Sequence, residues 1–150
     1  MKSYIRLQEV TGGYKRLLKV KAAYKNLKFY QDTCQIRKLI YQITERFLKS
    51  HLRLVSQMRD AARSAKQNIR EGYKKGTAGE FAHSIRISRG SLEELSGDVE
   101  DCKEDGLVTE EDFDQLSKLI LSADYMSSRY LLSLSKMERE GKWKKPGIQK

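Results

Sequence analysis

The stretch Met58-Arg59-Asp60-Ala61-Ala62-Arg63-Ser64-Ala65-Lys66-Gln67-Asn68-Ile69-Arg70-Glu71-Gly72-Tyr73-Lys74 carries two stripes at helical spacing. Met58, Ala61, Ala62, Ala65, Ile69 and Gly72 recur every three or four residues and make a packing face of mostly small side chains. Arg59, Arg63, Lys66, Arg70 and Lys74 recur at steps of four, three, four and four and stack along a second face. Small residues let a neighbouring helix approach closely, so the packing stripe predicts an all-α protein. Five cations in a row without an acid among them repel one another. Such a row is kept if solvent spreads the charges, if acids of segment 93–114 in the same or a neighbouring subunit neutralise it, or if it meets an anionic partner. Phosphate contact makes the five cations the candidate nucleic-acid-binding residues.

Working outward, the same period continues on both sides. Phe29, Thr33, Ile36, Ile40, Ile43 and Phe47 follow bundle-helix spacing, and Ser50 is a candidate cap for the helix that follows. Gly76 ends the central helix. Thr77-Ala78-Gly79-Glu80 reads as a capping box opening a third helix, whose core series is Phe81, Ile85, Ser88, Leu92, Leu95, Val99 and Cys102. Gly106 closes it. Thr109 with Asp112 caps a fourth helix, with Glu110 and Glu111 in the turn where the helix dipole favours acids. Its core series is Phe113, Leu116, Ile120, Ala123, Tyr130, Leu134 and Met137. Four helices with short connections predict an antiparallel up-down-up-down four-helix bundle over residues 29–140. Residues 1–28 read as a basic N-terminal arm, either a hairpin around Gly12-Gly13 or a basic helix from Tyr14 to Lys28. Residues 141–150 read as a basic disordered tail.

Charge is distributed in poles. Residues 1–28 hold eight Lys or Arg against Glu9, and residues 51–90 hold nine against three acids. Residues 91–115 reverse this, with eleven acids against Lys103. Poles of this kind predict anionic partners and self-association. No apolar run approaches a membrane span, and the basic start leads into no apolar signal segment, so a cytoplasmic protein is expected. Cys34 and Cys102 match no metal or redox spacing and read as free thiols, buried or half-buried.

Enzyme signatures are sparse. His51 and His83 stand on different helices with no nucleophile arranged beside either. Glu80-Phe81-Ala82-His83 has the spacing of one half of a di-iron site, but the second pair and the extra glutamates are missing, so Glu80 reads as a cap and His83 as a surface residue. No catalytic residue, metal or cofactor is expected. Tyr30, Tyr41, Tyr125 and Tyr130 fall at positions that packing explains better than stacking on bases.

The residues Gln57-Met58-Arg59-x-Ala61-Ala62-x-Ser64-x-x-x-Asn68-Ile69-x-Glu71-Gly72, then Glu80-Phe81, then Arg89-Gly90-Ser91-Leu92-Glu93-Glu94-Leu95 resemble a bacterial four-helix-bundle family. That family includes proteins encoded by intervening sequences in large-subunit ribosomal RNA genes and the accessory variability determinants of diversity-generating retroelements. Ala61-Ala62-Arg63-Ser64-Ala65-Lys66-Gln67-Asn68-Ile69 and Tyr24-Lys25-Asn26-Leu27-Lys28-Phe29-Tyr30-Gln31 are more similar to the retroelement branch, and the resemblance covers roughly residues 24–135. It implies a ring-like homopentamer of bundles that binds a reverse transcriptase and template RNA in support of mutagenic cDNA synthesis; phosphate contact by the basic stripe, which reads no sequence, leaves DNA open as a further partner. The other branch implies a structural or assembly protein with no required nucleic acid. In both, Gln57, Ser64, Asn68, Glu71 and Glu94 are implied to be polar contacts between helices or subunits.

Overall fold

Three glycines with positive φ, Gly76 at 90°, Gly106 at 71° and Gly141 at 65°, each follow a helix end. This left-handed conformation is one that side chains with a Cβ rarely adopt, so these positions punctuate the chain. The computed structural model describes residues 23–143. A short 3-10 turn, Ala23–Asn26, leads into α1 (Lys28–Thr44); a second turn, Lys49–His51, leads into α2 (Leu52–Lys75). α3 (Ala78–Glu104) and α4 (Glu110–Arg139) complete an all-helical chain with no strand among the described residues.

The helix starts at α3 and α4 follow the cap chemistry read from the sequence. The Glu80 amide donates to Thr77 Oγ1 at 3.2 Å, and the Asp112 amide donates to Thr109 Oγ1 at 3.1 Å. The α2 start differs. Ser50 lies inside the Lys49–His51 turn, His51 takes the cap position, and no side chain caps the helix. The turn shares the work of satisfying the first amides, because the His51 amide donates to the Leu48 carbonyl at 2.9 Å.

α1 packs on α2 and α4, and α3 packs on α2 and α4. Between α1 and α4, Phe29 meets Tyr130 and Asp32 accepts from Ser122, and Arg46, just past the end of α1, is bonded to Asp112. Between α2 and α3, Met58 meets Cys102, Ser64 meets Ser91, and the Ala65 carbonyl accepts from Ser88 Oγ at 2.6 Å. The helices approach closely at Gly72, where a Cβ would stand 2.2 Å from Ser84 Cβ.

The apolar interior divides into two clusters. One gathers Ile36, Ile40, Ile43, Met58, Ala62, Leu92, Leu95, Val99 and Leu116. The other is rich in aromatic rings: Tyr24, Phe29, Tyr30 and Phe81, with Tyr73, Tyr130 and Trp143 packed around them. Phe81 is fully buried, with the Tyr73, Tyr130 and Trp143 ring centroids between 5.4 and 5.9 Å away. Every member of the α3 core series is buried. Phe47 lies beyond the end of α1 and is half-buried, and Ser127, outside the series read for α4, is buried. Two further readings are corrected. Trp143, assigned to the disordered tail, packs against Phe81, and Tyr125, assigned to packing, is 59 % exposed on α4. Of the arm and the tail, residues 1–22 and 144–150 lie outside the described residues.

Candidate nucleic-acid interface

The α2 cations do not share one environment. α1 lies along one side of their row, so those nearest α1 become part of the helix contact. Arg59 Nε donates to Thr44 Oγ1 at 2.9 Å, and its Nη2 forms an ion pair with Glu45 at 3.0 Å. The same nitrogen reaches the Tyr41 carbonyl at 3.5 Å. Its guanidinium also lies over the Tyr41 ring, 4.6 Å from the centroid, while the Arg37 guanidinium lies over that ring at 4.7 Å. Arg59 therefore closes the end of α1, where a cation is favoured by the helix dipole. An Arg59 facing solvent or meeting the acidic segment 93–114 is thus corrected: its acid partner is Glu45, and the cation that reaches that segment from α1's end is Arg46, bonded to Asp112 at 2.5 Å.

Arg70 is also turned toward α1. Its Nε is buried and has no hydrogen-bond partner, and its charge lies near enough to the Tyr30 hydroxyl to act on that group's pKa. Burial raises the Tyr30 pKa and the adjacent Cys34 raises it further, while Arg70 opposes the rise. Arg63 and Lys74 are exposed and Lys66 is half-buried, and none of the three has an ion pair among the described residues. The five-cation row thus resolves into two residues engaged with α1 and three cations available to a partner.

The other flank of α2 faces α3 and is polar. Ser64 Oγ lies 3.0 Å from Ser91 Oγ, and Asn68 Nδ2 donates to the Ser64 carbonyl at 2.9 Å and to its hydroxyl at 3.1 Å. Gln57 Nε2 spans both oxygens of Asp98 at 3.2 and 3.3 Å. Burial raises the Asp98 pKa, the Gln57 bond lowers it, and the neighbouring Glu94 and Asp101 raise it. An open groove of about 490 Å³ runs here, lined by Arg53, Ser56, Gln57, Asp60, Ala61, Ser64, Ser91 and Glu94. Gln57, Ser64 and Asn68 are thus bonded between or within helices. Glu94 lines the groove, and Glu71 is exposed.

Acids gather at the end of α3 and the start of α4, where Lys103 lies over the Phe113 ring at 4.1 Å and 3.9 Å from Glu110. Glu80 closes on Thr77, whose hydroxyl donates to Glu80 Oε2 at 2.9 Å, and His83 is exposed. Among the described residues, no group of three or more His, Cys, Asp or Glu side chains is placed to hold a metal ion. No described helix is long and apolar enough to cross a membrane. Both cysteines are free, Cys34 half-buried and Cys102 buried against Met58. Burial, reinforced by Asp98, Asp105 and Asp101, pushes the Cys102 thiol up to about 11.

Sequence reading missed Tyr41, Thr44 and Glu45 as the partners of Arg59, and Arg37 as the second cation over the Tyr41 ring. Their spacing on α1 was visible, but only the packing of α1 against α2 turns that spacing into a contact. Residues 25–128 match the sequence model of a family described as 23S rRNA-intervening sequence protein. No curated protein matches the chain.

Proposed function

The chain belongs to the 23S rRNA-intervening sequence protein family, and from that premise we propose that it is a non-enzymatic accessory protein of a diversity-generating retroelement. In this reading it acts in the cytoplasm as a homopentamer of antiparallel up-down-up-down bundles. Its basic face binds the element's template RNA and reverse transcriptase in support of mutagenic cDNA synthesis.

The observation that carries the reading is the part of the five-cation row on α2 that the fold leaves unpaired. Arg63, Lys66 and Lys74 span three turns with no acid paired to them among the described residues. Holding like charges side by side is unfavourable unless an anion neutralises them, and a nucleic-acid backbone supplies anions in a row. Repetition of the face in a symmetric oligomer multiplies modest contacts. The fold gives the retroelement branch no advantage over the alternative, a structural or assembly protein with no required nucleic acid. Arg59 and Arg70, which serve the contact with α1, weigh for neither reading.

The test is charge reversal restricted to the unpaired cations. The triple variant Arg63→Glu, Lys66→Glu, Lys74→Glu is measured for helicity, oligomer mass, RNA affinity and co-purification with the reverse transcriptase. The reading expects mass and helicity unchanged and RNA binding lost. Arg59 and Arg70 are left in place, because reversing them would break contacts with α1. An intact oligomer that binds RNA as tightly as the parent protein at ~150 mM salt would end the phosphate reading. A variant that falls apart would identify the stripe as a subunit contact instead.

A further inference from the structure

Among the described residues, the face built by α1 and α2 offers charge, and its tyrosine rings are all engaged. Tyr41, the aromatic side chain nearest its middle, has the guanidinium groups of Arg37 and Arg59 over its ring at 4.7 and 4.6 Å. Tyr24 and Tyr30 are buried, and Tyr73 packs against Tyr24 and Phe81. The tyrosine that is exposed among the described residues, Tyr125, stands on α4, a helix packed on α1 and α3.

Proteins that hold unpaired strands combine a cationic groove with rings on which successive bases stack. Among the described residues of this face, only the first of these is present. A base-paired helix needs no such ring: its bases are already stacked on one another and its phosphates face outward. It also carries about twice the axial charge density of one of its strands, one charge per ~1.7 Å against one per ~3.4 Å. Base-paired RNA is in any case met mostly through its backbone and shape.

We infer that the ligand of this face is a base-paired stretch of nucleic acid, held through its phosphates by Arg63, Lys66 and Lys74, in preference to an unpaired strand. The inference rests on the nucleic-acid reading above and narrows it to a class of ligand. Arg37 and Arg59 take no phosphate in this arrangement; they hold Tyr41 closed against bases.

The full-length chain is titrated with an RNA hairpin and with an unpaired RNA of equal length and scrambled sequence, across a salt series. The hairpin is expected to bind at least threefold more tightly at each salt concentration. Its log affinity should fall by about 0.9 per contact for each tenfold rise in salt, against about 0.7 for the unpaired strand. Lys66→Ala and Lys74→Ala should each remove about one contact from the hairpin slope. Tyr41→Leu, checked for helicity, should change both affinities less than threefold. Equal or tighter binding of the unpaired strand overturns the inference and leaves the phosphate reading standing. So does a tenfold loss on Tyr41→Leu confined to the unpaired strand. Binding of neither RNA overturns the phosphate reading itself, and this inference with it.

Discussion

Replacing Gly72 with alanine should destabilise the protein, although alanine is the better helix former. Gly72 lies three residues before the end of α2, where α2 and α3 run close together. A Cβ there would stand 2.2 Å from Ser84 Cβ and 2.4 Å from its Oγ. Carbon atoms pack at about 3.5–4.0 Å, so the two helices must part locally by more than about 1 Å. Neither Cβ can rotate away, because each is fixed by its own backbone. Overpacking of this kind costs about 1–3 kcal/mol, and removing a helical glycine returns up to about 1 kcal/mol. We expect a net loss of about 1–2 kcal/mol, which for a chain of this size lowers Tm by roughly 2–8 °C.

Two further variants isolate the cause. Gly97 sits inside α3 with nothing within 4 Å of its Cβ position, so Gly97→Ala should stabilise, by up to about 1 kcal/mol. Ser84→Gly placed in the Gly72→Ala background removes the obstructing Cβ. The double variant should then be more stable than the sum of the single changes by over ~1 kcal/mol. Denaturant melts at fixed protein concentration measure the parent, the three single variants, Ser84→Gly among them, and the double variant, since association shifts apparent stability. If Gly72→Ala is as stable as Gly97→Ala, or the coupling is nil, the close approach of α2 and α3 is refuted.

Two other perturbations have signed outcomes. Asp32 is 1 % exposed on α1 and is held by Lys28 and by Ser122 Oγ at 2.6 Å, which ties α1 to α4. Asp32→Ala should cost about 1.5–3 kcal/mol in a denaturant melt, whereas Lys28→Ala, at an exposed partner, should cost under ~1 kcal/mol; equal losses would refute this ranking. Cys102 and Tyr130 are raised by burial to about 11 and about 12, from 9.0 and 10.0. The unfolded chain therefore loses these protons first, so their contribution is complete below pH ~9 and disappears as pH rises through the folded values. Tm should fall across that window, less steeply in Cys102→Ala, and iodoacetamide should label Cys102 at pH 8 only when the protein is unfolded.

The elements themselves were readable because several local signals agree. At Thr77 and Thr109, a cap residue, an acid in the first turn and the onset of apolar spacing coincide, and the structure begins a helix at each. At Ser50 the acid in the first turn is missing, and the chain makes a 3-10 turn instead. Tyr125 and Trp143 failed for a related reason. A ring's residue type says that it prefers cover, but not whether another helix passes over it. Tyr125 is on a side of α4 left uncovered, and Trp143 finds Phe81 after the last helix has ended.

The basic row shows where this limit bears on function. On an isolated helix Arg59, Arg63, Lys66, Arg70 and Lys74 are one face. Inside the fold α2 has neighbours on two sides, and its outward surface is narrower than that face. Arg59 lies on the side of α1, where Thr44, Glu45 and the Tyr41 ring give it partners at the end of a helix that favours a cation. Arg70 lies against Tyr30. The remaining three cations have no such compensation, so any loss of repulsion on binding a polyanion is concentrated on them. Reversing Arg63, Lys66 and Lys74 therefore addresses the partner, while reversing Arg59 or Arg70 addresses the fold. A charge scan that pooled all five would confuse a lost ligand with a broken helix contact.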